Sequence, residues 1–222
     1  MVMALLAKLL MTKQLKFEGG YIDMKNITMS LVPTFFISEL TKYFRNKNEL
    51  DKFYFISWYW GYVLVRKINE KFNLKTPEQI YSFGMDMAEA MGIGLYQTRD
   101  YSAGNYTHFT IKSPYIPFLA DIKERKPIDH FIAGAMAGGG CHVHNAVCQN
   151  VEVACMLAGD KMCEFLTGTE TELRKRGLWE TAKSRYNLEK YYPLQKEIFS
   201  KYDETREAEI LTMIINELTY TK

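Results

Sequence analysis

The chain has 222 residues, 47% of them apolar and 14% aromatic, which is enough to bury a substantial core without disulfide staples and too apolar for a disordered protein. Its 28 Lys and Arg against 26 Asp and Glu leave a net charge of +2, so no strong field draws it to nucleic acid, and the balance argues against a nucleic-acid partner. The opening residues MVMALLAKLLMTK are apolar but too short for a membrane span, with no basic leader or small-residue cleavage site; they read as an amphipathic helix start in a cytoplasmic protein.

KQLKFEGGYIDMKNITMSLVP predicts two short strands around Gly19-Gly20. From Pro33 the spacing turns helical, with Phe36, Leu40, Tyr43 and Phe44 on one face, and a second helix follows over about Glu49–Phe72. Thr76, Pro77 and Gln79 open a third helix with an N-cap, a proline at the first helical position and a capping-box glutamine; it stops at Gly92-Ile93-Gly94. Leu95 to Lys112 predicts two strands around Ala103-Gly104-Asn105, the second carrying His108. Ile128 to about Asn145 predicts a helix in which Gly134 and Gly138 share a stripe, leaving room for a ligand or another backbone. Val147 to Leu166 predicts a second hairpin, with Ala158-Gly159-Asp160 as a three-residue loop and Cys155 facing Cys163. The remainder, residues 168–222, has helical patterning and is read as a C-terminal extension to a domain spanning residues 1–167.

All four cysteines and all four histidines fall within residues 108–163. Facing cysteines in a reducing compartment are a poor disulfide; they are either small buried hydrophobes or half of a metal site. If they hold zinc, the nearest further donors are His130 and Asp129 at the start of the glycine-rich helix, then His108. Cys141, His144 and Cys148 form a rival grouping, which the expected helix end at Asn145 spoils; His142 has no role in either.

The pattern Cys155, Gly159, Asp160, Cys163, Phe165, preceded by Gly134 and Gly138 and by Ser113-Pro114 after a strand, resembles the 4-vinyl reductase domain family over roughly residues 14–167. The helix carrying Gly61 and the helix ending in Gly-Ile-Gly follow the family's order. The resemblance implies an α+β fold, helices packed on an antiparallel sheet, similar to ligand-binding domains of nitric-oxide signalling and Golgi-transport proteins. It implies a hydrocarbon-binding or sensor module with an apolar small-molecule pocket. In members that sense phenolic compounds, zinc is held by the hairpin cysteines, a third ligand at the start of the glycine-containing helix and a carboxylate upstream. Here the third ligand falls at Asp129, beside His130, and the upstream one near His108, so only Cys155 and Cys163 match directly.

The expected function is therefore binding of a small apolar ligand, with Gly134, Gly138, Phe53, Trp58 and Tyr62 as pocket residues and zinc as the cofactor. A reductase-type enzyme is the alternative, but no dinucleotide fingerprint or flavin signature supplies an electron source, so the balance is against an enzyme unless the zinc is catalytic. A homodimeric scaffold is the third reading.

Overall fold

The computed structural model describes residues 2–18, 21–29 and 32–219. Helix α1 (Val2–Met11) leads into three antiparallel strands, β1 (Leu15–Glu18), β2 (Tyr21–Met24) and β3 (Ile27–Met29). The third strand was not expected. Its turn is formed by Lys25 and Asn26, both at positive φ, a geometry that a Lys-Asn pair signals only weakly. Gly19 and Gly20, on which the expected hairpin turn falls, lie outside the described residues.

Helices α2 (Thr34–Asn46), α3 (Leu50–Phe72) and α4 (Pro77–Ala90) follow. The start of α4 carries the expected chemistry: the Thr76 hydroxyl accepts from the Gln79 amide, and the Gln79 side chain accepts from the Thr76 amide. Strands β4 (Leu95–Ser102) and β5 (Tyr106–Lys112) form the next hairpin. Helix α5 (His130–His144) is capped at its start by the Asp129 side chain and ended by Asn145 in the left-handed region. Strands β6 (Cys148–Ala154) and β7 (Cys163–Thr169) complete a four-stranded antiparallel sheet in the order β4-β5-β7-β6.

Strand β6 is an edge, and its outward backbone groups are occupied by side chains. Trp58 Nε1 donates to the Cys148 carbonyl at 3.2 Å, the Asn150 amide donates to the Tyr54 hydroxyl at 3.3 Å, and Arg185 donates to the Glu152 carbonyl at 2.8 Å. An edge blunted in this way cannot pair with another strand.

The glycine stripe explains how α3 and α5 meet. A Cβ at Gly134 would collide with the Tyr54 carbonyl, one at Gly138 with the Trp58 carbonyl, and one at Gly61 with the Ala135 carbonyl. The two helices therefore touch backbone to backbone.

Residues 170–219 form α6 (Glu170–Lys175), α7 (Trp179–Arg185), α8 (Leu188–Lys201) and α9 (Glu207–Thr219). They pack into the main core rather than standing apart from it: Leu173, Trp179, Tyr186, Tyr191, Ile198 and Ile214 share one buried cluster with α3, α5 and the sheet. Tyr186 stacks on Tyr54 at 3.7 Å and Tyr191 on Phe55 at 4.8 Å. A smaller cluster of Leu9, Leu15, Met24, Ile68 and Met87 joins the N-terminal strands to α3 and α4.

Candidate functional site

Strand β6 ends in a bulge between Glu152 and Ala154, and the ladder with β7 stops at Ala154 and Glu164. The connection is longer than the three-residue loop expected from sequence. Residues 156–158 form a 3-10 turn, Gly159 takes φ 108°, and the Asp160 carboxylate accepts from the Cys155 amide at 2.9 Å. The bulge and turn re-aim side chains at the site. Cys155 and Cys163 are brought together, along with Glu152, whose pairing with Phe165 puts it on the same sheet face as Cys163. Ligand atoms of Glu152, Cys155 and Cys163 lie within 4.8 Å of one another, all on buried residues, and among the described residues no other grouping of three or more His, Cys, Asp or Glu converges so.

Asp129 stands beside them. Its backbone amide donates to Glu152 Oε2 at 2.9 Å, and its Oδ1 accepts from the Ile132 amide and from the Tyr115 hydroxyl. The second oxygen of each carboxylate, Asp129 Oδ2 and Glu152 Oε1, is buried without a hydrogen-bond partner among the described residues. Burial pushes the Asp129 carboxyl up to about 7, although the Tyr115 bond pulls it down. Glu152 is raised well above the carboxylate range by burial and then by Asp129. The Cys163 thiol, hydrogen-bonded to Cys155, draws Cys155 down to about 5, and the same bond with burial raises Cys163. Two carboxyls and two thiols thus crowd a space in which they cannot all ionise unless a cation joins them.

The other candidate ligands are engaged elsewhere. His130 Nδ1 donates to the Ile128 carbonyl at 2.9 Å, and its ring meets Tyr186 edge to face. His108 lies on the opposite face of β5 from the position paired with Cys163, bonded to Glu164 at 2.5 Å. His142 donates to the Tyr62 carbonyl, His144 Nε2 bonds Thr107, and the Cys148 amide donates to Cys141 Sγ. Glu152 was missed at the sequence level. Its signal is a lone acid in the apolar strand VEVA, three residues before Cys155.

A cavity of about 80 Å³ lies between α3, α4, α5 and the sheet, walled by Leu64, Met85, Phe109, Ile132, Met136 and Val143 among others. That is several times the ~10–15 Å³ that one water needs. None of the five expected pocket residues lines it. Gly134 and Gly138 face the α3 backbone; Phe53 stacks on Phe44, Trp58 holds the β6 edge, and Tyr62 packs against His142 and Tyr202. The stripe is filled by a neighbouring helix, so the pocket forms on a different face of α5, at Ile132, Met136 and Gly139. Ile132 joins the two features: its side chain walls the cavity while its amide is held by Asp129.

No protein-family model matches the chain, and no curated protein does. Among solved structures, the phenol-responsive sensory domain of the transcription activator PoxR, determined with phenol, is similar at a TM-score of 0.60 and 15% identity, over 78% of this chain and 94% of that one. The chain, an α+β fold with helices packed on an antiparallel sheet, therefore shares its fold with that sensory domain.

Proposed function

We propose that this protein is a sensing module that binds a small, largely apolar molecule in the cavity between α3, α4, α5 and the sheet. The observation that carries the reading is the cavity itself, enclosed on its helical side by Leu64, Met85, Ile132 and Met136. The fold shared with a phenol-responsive domain supports it. We also propose a structural zinc held by Asp129, Glu152, Cys155 and Cys163. Two thiols suit zinc, the Glu152 carboxylate converges with them, and Asp129, outside that trio but bonded to Glu152 through its amide, carries the other unpartnered oxygen and is the proposed fourth donor. Four protein donors leave no open position for water or substrate, which favours a structural ion over a catalytic one. Bound there, the ion would neutralise the buried acids and tie the β6–β7 loop to the start of α5.

The test uses Gly84, which lies on the cavity wall with open space where a side chain would project. Gly84→Leu should fill the cavity and abolish binding of a probe such as ethylbenzene, measured by calorimetry, while the melting temperature holds. Equal binding by the parent and the variant would place the ligand elsewhere, and no binding by the parent would sink the reading.

A further inference from the structure

The cavity of about 80 Å³ is small for the ligands its wall suits. An engineered apolar cavity of about 150 Å³ takes up benzene, so the space here is roughly half of one that admits a single aromatic ring. A wall must give way when such a ligand enters, and the walls are not equally free to do so. Helices α3 and α5 meet backbone to backbone at Gly61, Gly134 and Gly138. The sheet is held by its main-chain ladder, with β5 and β7 paired on both sides.

Helix α4 is held differently. Among the described residues, two side-chain hydrogen bonds tie it to the sheet: the Tyr81 and Thr98 hydroxyls bond at 2.6 Å, and Glu89 Oε1 accepts from the Tyr96 amide at 3.0 Å. Both go to β4, which is an edge strand. Toward the cavity α4 presents Met85, Met87 and Met91, and α5 adds Met136. Methionine is unbranched, and its three rotatable bonds let it fill or vacate irregular space.

We infer that α4 is the moving wall of the cavity: an aromatic ligand is admitted by a shift of this helix away from α5, and the methionines re-form the wall around it. This rests on the cavity being the binding site. Met87 stands both on the cavity wall and in the smaller cluster with Leu9 and Met24, so the shift is felt by α1 and β2, which gives a sensing module a change to pass on. The two bonds to β4 belong to the closed arrangement. Weakening either favours the open one, so affinity should rise, the reverse of what losing a contact in a rigid site does.

Two measurements on the full chain test this. Tyr81→Phe keeps the ring and removes the bond to Thr98; in calorimetric titration it should bind ethylbenzene about two- to fivefold more tightly than the parent. Nitroxide labels at Ser82→Cys on α4 and Ser184→Cys on α7, both exposed positions, report a distance across the molecule, and the four native cysteines are buried away from the reagent. Saturation with ethylbenzene should shift that distance, read by pulsed electron resonance, by more than about 2 Å. An unchanged distance in protein that binds ethylbenzene would overturn the moving wall and leave the cavity reading intact. Equal or weaker binding by a folded Tyr81→Phe would overturn it too, and the distance decides alone if that variant does not fold. If the parent binds no ethylbenzene, the cavity reading has failed and the moving wall falls with it.

Discussion

At the scale of single residues, the site is a problem of charge. Asp129, Glu152, Cys155 and Cys163 are buried at relative exposures of 2% or less, and two of their oxygens have no partner. A divalent ion, if bound as proposed, would resolve this, because coordination deprotonates every ligand and returns the ion's binding energy as folding stability. Metal content measured on protein purified without chelator should therefore be near one zinc per chain, falling in Cys155→Ser and in Glu152→Gln. It should be unchanged in His108→Ala, whose ring is on the other face of the sheet. Chelation should lower the melting temperature of the parent and have little further effect on Cys155→Ser. His130 offers a separate test at this scale. It is held neutral by burial, its value lowered from 6.5 to about 4; Arg185 and Lys126 lower it further, while the Ile128 carbonyl and Asp51 oppose them. The unfolded chain then binds the proton more readily than the folded one, so stability falls as pH drops from about 6.5 toward 4. His130→Phe keeps a ring against Tyr186 and removes the titration. Denaturant midpoints at pH 7 and pH 4.5 should show a smaller acid loss in the variant, by on the order of 2 kcal/mol.

At the scale of elements, the closest contact is between α3 and α5, and glycine is what permits it. Gly138→Ala would press a methyl group against the Trp58 carbonyl and the Tyr62 amide, both backbone, so no side chain can give way. The helices must separate, and the expected loss is about 3 kcal/mol or more in denaturant unfolding. Gly84→Ala on α4 is the contrast. Its Cβ meets nothing within 4 Å, so the variant should be stabilised by about 0.5–1 kcal/mol through helix propensity alone. A Gly138→Ala protein as stable as the parent would mean that the two helices lie further apart than described. The stripe of Gly134 and Gly138 was legible in sequence as a place of close approach; which partner approaches was not, because helical periodicity names a face and not its neighbour. The same limit explains the site. The spacing of Cys155, just past the end of β6, and Cys163 at the start of β7 carried their juxtaposition, and the Asp129 cap was readable beside a helix start. Glu152 joins them only because the bulge shifts the β6 register, and a bulge leaves no mark in residue spacing. His108 and His130 have the right donor atoms on the wrong face or with another partner, a distinction set by tertiary pairing.

At the scale of the whole molecule, the division between a domain ending at residue 167 and a tail after it does not correspond to a gap in the packing. Tyr186, Tyr191 and Ile198 are at most 1% exposed, and Tyr54 and Phe55 of α3 are covered by Tyr186 and Tyr191. Polar ties cross as well: Arg66 donates to the Tyr202 carbonyl, Lys67 pairs with Glu207 at 3.2 Å, and the buried amide of Gln149 donates to Gln195. Arg185 of α7 occupies the Glu152 carbonyl on the β6 edge, within the residue that carries one of the site's unpaired oxygens. Removing residues 168–222 would expose the aromatic face of α3, open the β6 edge to another chain and loosen the strand that bears Glu152. Each buried aromatic lost from such a core costs roughly 3–5 kcal/mol, against total stabilities of about 5–15 kcal/mol. The fragment 1–167 should therefore be insoluble or unfolded by circular dichroism, and the full chain should melt in one transition seen alike by far-ultraviolet circular dichroism and tryptophan fluorescence. A soluble, cooperatively folded fragment that still binds ethylbenzene would show that the C-terminal helices are an attachment after all. Short of that, the helices that follow β7 are part of the wall behind the site: Tyr186 stacks on Tyr54, whose hydroxyl accepts from the Asn150 amide of β6, and its neighbour Arg185 donates to the Glu152 carbonyl, so a change at Tyr186 should reach the Glu152 strand.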